Sequence, residues 1–106
     1  MTKFINLHTH KFSNLSDVID VVNQYPWEFN ASIPNYSIGI HPWYIDENRL
    51  ESDLEIIKEK LQFNECLALG ECGLDKRIEI PLDLQISVFK KQLEIVKQTN
   101  KPIVLH

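Results

Sequence analysis

CLALGECGLDKRIEIPLDLQISVFKKQLEIVKQTNKPIVLH, residues 66–106, decides how the rest of the chain folds. It opens on the apolar run Cys66 to Gly70, passes through the polar loop ECGLDKRIEI, and reaches Pro81, a residue suited to the first turn of a helix. Leu82, Ile86, Phe89, Leu93 and Val96 then recur at three and four residues, which predicts one apolar helix face running to about Thr99. A second short apolar run, Pro102 to His106 (PIVLH), follows. Strand, helix and strand in this order make a parallel crossover unit.

The same alternation extends upstream. Lys3 to His8 (KFINLH) and Tyr36 to His41 (YSIGIH) are short, nearly continuous apolar runs, the pattern of strands covered on both faces of a parallel sheet. Leu50, Leu54, Ile57 and Leu61 recur at i, i+4, i+7 and i+11 among charged neighbours and predict an amphipathic helix. Ser16 and Asp17 offer N-cap chemistry to Val18, Ile19, Val21 and Val22, whose spacing predicts a further helix that Pro26 ends. The stretch from Trp27 to Asn35 carries Pro34 and reads as a connecting loop.

The predicted order is βαβαβαβ, four strands and three helices of a parallel (β/α) barrel. A closed eight-stranded barrel needs about 250 residues, so the 106-residue chain is expected to be the N-terminal part of a single barrel domain. With 43% apolar and 25% charged residues it reads as one globular unit. It has neither an apolar run long enough for a membrane span nor a signal-like start, so a cytoplasmic protein is expected. Cys66 and Cys72 would stand about 20 Å apart if extended at ~3.3 Å per residue, too far for a disulfide. Free thiols are expected. The net charge of -4 supplies no whole-chain attraction to nucleic acid or anionic membrane. A phosphate-bearing substrate would have to be held by metals or by a few placed Lys and Arg.

All four histidines, His8, His10, His41 and His106, fall at or just past the C-terminal end of a predicted strand, and Glu71 directly follows the third strand. In parallel α/β architectures ligands bind and chemistry occurs at that edge. In His8-x-His10 the side chains two apart on a strand point to one face and can share an ion. Glu71 brings a carboxylate to the same rim, and a carboxylate can bridge two cations of a two-metal site. His106 brings another nitrogen.

The segments FINLHTH, SIGIHPW, LALGECGLD and KPIVLH, together with the D-x-Q-x-x-V-F-x-x-Q-L pattern from Asp83 to Leu93, resemble the successive signatures of the TatD family of metal-dependent hydrolases. Those proteins belong with the amidohydrolase-like TIM barrels. The resemblance implies that His8 and His10 bind one divalent metal, that Glu71 bridges two and is the catalytic carboxylate, and that His106 binds the second. It places His41 on the substrate side, contacting phosphate, with Trp43 lining the mouth and able to stack on a base. Asp75 would brace the site or a loop, and Lys76 and Arg77 follow it within reach of a phosphate. The mixed nitrogen and oxygen set suits zinc, manganese or iron more than magnesium.

Two departures stand out: Asn6 occupies a place where many members carry Asp, and the family's further histidine and aspartate lie beyond the fourth strand. The implied reaction is hydrolysis of a phosphodiester, with DNA or another phosphoester as the partner molecule. Alternatives are a phosphatase or an amide or lactone hydrolase of the same superfamily, or an inactive fragment that only binds metal. A half barrel with an open strand edge is also expected to self-associate.

Overall fold

In the computed structural model, residues 4–9 and 18–106 are described, with residues 4–8 and 18 described by their backbone alone. Five strands form one parallel sheet among these residues: β1 (Phe4–Thr9), β2 (Val18–Gln24), β3 (Tyr36–Ile38), β4 (Cys66–Cys72) and β5 (Ile103–Leu105). Their spatial order is the chain order, β1-β2-β3-β4-β5, the arrangement of successive barrel strands. Helix α1 (Leu50–Lys60) connects β3 to β4, and α2 (Leu82–Val96) connects β4 to β5.

The predicted helix over Val18 to Val22 is instead strand β2, pairing Ile19 with Ile5 and Val22 with Tyr36. Four of the first five residues of VIDVV are β-branched. Such side chains lose rotamer freedom in a helix and fit a pleated surface. Asp20, Val21, Val22, Asn23 and Gln24 are all buried, so both faces of the strand are covered. Helix periodicity in five residues was coincidence; burial on both faces removed the alternation that marks a strand. The described residues thus hold five strands and two α-helices rather than four and three.

The other predicted elements stand within a few residues of their expected bounds. Ile57 and Leu61 of the α1 face are buried, with Leu50 and Leu54 packed against them. Lys101 closes the C-terminal end of this helix, donating from Nζ to the carbonyls of Leu61 and Phe63. The expected face of α2 is rotated: its buried residues are Gln85, Val88, Gln92 and Val96, while Leu82 is exposed.

Beneath the sheet lie Ile38, Ile40, Ile57, Leu61, Leu69, Val88 and Val96, all 5% exposed or less. Each large aliphatic side chain buried there contributes roughly 1.5–3 kcal/mol. Cys66 and Cys72 join this core as free thiols, and burial pushes Cys66 up to about 11.

Near the C-terminal rim the strands meet as bare backbone. A Cβ on Gly39 would lie 2.9 Å from the Gly70 Cα, and one on Gly70 would lie 2.6 Å from the Val104 carbonyl oxygen. Gly70 also adopts φ +146°, which L side chains rarely tolerate. No helix of the described residues is long and apolar enough to cross a membrane. β5 stands at the end of the strand order, with Leu105 exposed.

Candidate metal centre

Three strand ends deliver three side chains to one point. His41 follows β3, Glu71 is the penultimate residue of β4, and His106 follows β5. His41 Nε2 lies 2.9 Å from Glu71 Oε1, His106 Nδ1 lies 3.3 Å from the same oxygen, and the two ring nitrogens are 3.2 Å apart. Ligands of a tetrahedral ion bound at roughly 2.0–2.1 Å are themselves about 3.3 Å apart. The triangle is of that size.

Hydrogen bonds sort the three by chemistry. The Trp43 backbone N–H donates to His41 Nδ1 at 3.1 Å, at the start of the Pro42–Tyr44 turn. That nitrogen is therefore the acceptor of a neutral ring, and the proton sits on Nε2, aimed at Glu71. Burial, and then the nearby His106, lower the His41 pKa against the opposing pull of Glu71. His106 is turned the other way: its Nε2 lies 3.0 Å from Asp75 Oδ2, an acceptor only, so Nε2 carries a proton and, in the neutral ring, Nδ1 presents a lone pair. A carboxylate behind a histidine fixes ring orientation and tautomer and raises ligand basicity at metal sites. Glu71 Oε1 and His106 Nδ1 thus fit a divalent ion, and His41 fits a hydrogen-bond donor beside it.

Asp75 is the hub of the rim. Beyond His106, its carboxylate accepts the Trp43 indole N–H at 2.8 Å and the Arg77 guanidinium at 2.9 Å through both Nε and a terminal nitrogen. The Arg77 hydrogen bond, then those of His106 and Trp43, hold its pKa far below the usual carboxylate range. Trp43 is about half exposed at 48% and sets its ring edgewise to His41 and His106, with centroids 5.0 and 5.6 Å away. Lys76 is exposed to solvent next to Asp75. His8 lies in β1, described by its backbone alone, and His10 lies outside the described residues.

Asn23, on the strand that had been expected as helix, is buried under the site. Its Oδ1 accepts the Glu71 backbone N–H at 2.6 Å and the Ser37 hydroxyl at 3.1 Å. The predicted helix hid it. Gln85 and Gln92 were visible only as letters of a sequence pattern; amides seven apart inside an apolar stripe were the signal.

The model of the TatD-related DNase family matches residues 1–106, the whole chain. The chain belongs to that family. Its curated relatives include YabD of Bacillus subtilis (strain 168), described as an uncharacterized metal-dependent hydrolase, 32% identical over 94 residues that cover 87% of this chain and 34% of YabD. An uncharacterized metal-dependent hydrolase of Haemophilus influenzae is 35% identical over 78 residues, covering 67% of this chain and 29% of that protein. The 3'-5' ssDNA/RNA exonuclease TatD of Erwinia billingiae is 34% identical over 70 residues, 64% of this chain and 26% of that enzyme.

The chain therefore spans about a third of the length of the curated relatives it matches. The crystal structure of YjjV, a TatD homolog from Escherichia coli K12, shares the fold with a TM-score of 0.75 at 23% identity, over 97% of this chain and 50% of that one. Within the matched chain, GECGLD holds both Glu71 and Asp75, and GIHPW holds His41 and Trp43.

Proposed function

We propose that this chain is the N-terminal part of a TatD-family hydrolase barrel that cleaves phosphodiester bonds of DNA with the help of two divalent ions. One relationship supports it above all: the lone pair of His106 Nδ1 and the N–H of His41 Nε2 meet the same carboxylate oxygen of Glu71. A ligand and a donor side by side are what a metal-assisted attack on a phosphoryl group requires. An ion there supplies Lewis acidity toward a phosphoryl oxygen and makes a water nucleophilic near neutral pH.

Glu71 and His106 would hold that ion, and the family resemblance assigns its neighbour to His8, in β1, and His10, with Glu71 shared between the two. His41 Nε2–H is placed to donate to a phosphate oxygen once Glu71 turns to the ions. The exposed Trp43 lies beside it, where a base can stack. Lys76 extends from the same loop as Asp75 and meets the phosphate backbone.

The test is nucleotide release from single-stranded and duplex DNA by the protein supplied with zinc, manganese, iron or magnesium. A phosphomonoester and a cyclic amide serve as competing substrates. Metal-dependent turnover of DNA, abolished in Glu71→Ala, is expected. An unimpaired variant, or turnover of the amide in place of DNA, overturns the proposal.

A further inference from the structure

Helix α2 buries four residues, Gln85, Val88, Gln92 and Val96, and two of them are amides exposed by only 1% each. For packing alone an apolar side chain would serve better, because a buried amide costs free energy unless its donors and acceptor are all engaged. Here they are engaged on the backbone of the two segments that carry the site. Gln92 Oε1 accepts the Ile40 N–H at 2.8 Å, and its Nε2 donates to the Ile40 carbonyl at 3.4 Å and to that of Val88 at 3.4 Å. Gln85 Oε1 accepts the Asp75 N–H at 2.8 Å, and its Nε2 donates to the carbonyls of Asp75 at 3.1 Å and Ile80 at 2.8 Å.

Both clasped residues lie beyond the sheet ladder, since β3 ends at Ile38 and β4 at Cys72. Ile40 immediately precedes His41, and Asp75 is the residue that turns His106. Two turns of one helix thus set the position of the donor and of the ligand separately. Polar atoms that do nothing else inside a core are justified by what they hold.

We propose that Gln85 and Gln92 are positioning residues of the site, Gln85 fixing His106 through Asp75 and Gln92 fixing His41 through Ile40. The inference rests on the metal-dependent reading above for its purpose, although the clasp itself does not depend on it. Misplacing a supporting group behind a metal ligand weakens metal affinity by about 10- to 100-fold.

The experiment compares Gln85→Met and Gln92→Met with Val88→Ala, a truncation in the same buried stripe that removes no side-chain hydrogen bond. Two quantities are read: cobalt(II) affinity from its visible absorption, and the imidazole 15N resonances of His41 and His106 in the metal-free protein. Gln85→Met is expected to weaken cobalt binding about tenfold or more and to move the His106 resonances. Gln92→Met is expected to move those of His41 and leave cobalt affinity near wild type. Val88→Ala should lower the melting temperature and move neither.

Gln92→Glu and Gln85→Glu, whose buried carboxyls facing backbone carbonyls stay protonated and so keep the acceptor and one donor, should return the His41 and His106 resonances toward their original positions. If the methionine pair does not fold, Gln85→Asn and Gln92→Asn, which keep an amide but stop one methylene short of the clasped backbone, replace it. Equal effects in Val88→Ala and the glutamine variants, or unmoved imidazole resonances, overturn the proposal. Absence of cobalt binding in the unaltered protein would overturn the metal reading alone, because the metal-free resonances still decide the clasp.

Discussion

His106 stands between two carboxylates, with Nε2 3.0 Å from Asp75 and Nδ1 3.3 Å from Glu71. The first can only accept, so in the neutral ring the second faces a lone pair. The Nε2–H of His41 lies 3.2 Å from Nδ1 and 2.9 Å from the same Glu71 oxygen, so one donor serves both acceptors, and a divalent ion taking its place would engage both.

Asp75→Asn tests the first contact. Without the charge behind it the ring is less basic and less firmly oriented, and zinc or cobalt affinity should fall by about 10- to 100-fold. Competition against a chromophoric chelator measures it. Affinity within about threefold of wild type, under 1 kcal/mol, would mean that Asp75 serves Arg77 and Trp43 instead.

His41→Phe removes the Nε2 donor and keeps a ring of similar bulk. The hydrogen bond it would give to a charged phosphate oxygen contributes about 1.5–3 kcal/mol, so kcat/KM on DNA should fall roughly 10- to 100-fold. Metal affinity should barely change. A variant that loses the metal along with activity would place His41 among the ligands.

Gly70→Ala introduces a Cβ 2.6 Å from the Val104 carbonyl at a φ of +146°. Backbone strain and overpacking each cost about 1–3 kcal/mol. Denaturant unfolding should show a loss of that combined order, larger than for Gly39→Ala, whose neighbour is the Gly70 Cα at 2.9 Å without the unfavourable φ. Equal stability of all three proteins would show that the strands can part at the rim.

Stability should fall at alkaline pH. Burial raises the Cys66 thiol from an ordinary value of 9.0 to about 11, and burial also raises the neighbouring Tyr36 phenol. Both groups hold their proton more tightly folded than unfolded. Their contribution is complete below the ordinary values; that of Cys66 is lost as pH climbs from about 9 toward about 11, and that of Tyr36 from about 10 upward. A melting temperature unchanged across that range, or a native Cys66 alkylated as fast as an unfolded one, would contradict it.

Much of this was present in the residues. The strands before Gly70 and His106 are apolar on both faces, and α1 repeats cleanly because one of its sides meets water. β2 reads as a helix because VIDVV places branched residues at positions that also suit one, and a strand buried on both faces shows no alternation to argue otherwise. The rotated face of α2 has a different cause. Sequence periodicity counts apolar residues, and here amides occupy two of the inward positions, so the apolar stripe lies one step aside from the buried one. His41, Glu71 and His106 could be placed at one rim from strand order alone. Which nitrogen each ring presents could not, because that follows from a backbone N–H at Trp43 and a carboxylate thirty-one residues away in the chain.

The setting of the two tryptophans gives the molecule a built-in optical reporter. Trp27 stacks on Tyr25 at 4.9 Å and has the Arg49 guanidinium 4.0 Å from its ring centroid. Trp43 instead shares Asp75 with His106 through its indole N–H. Any event that draws His106 toward a cation alters the field at that indole, so emission from a Trp27→Phe protein would follow occupancy of the rim in real time, without a label.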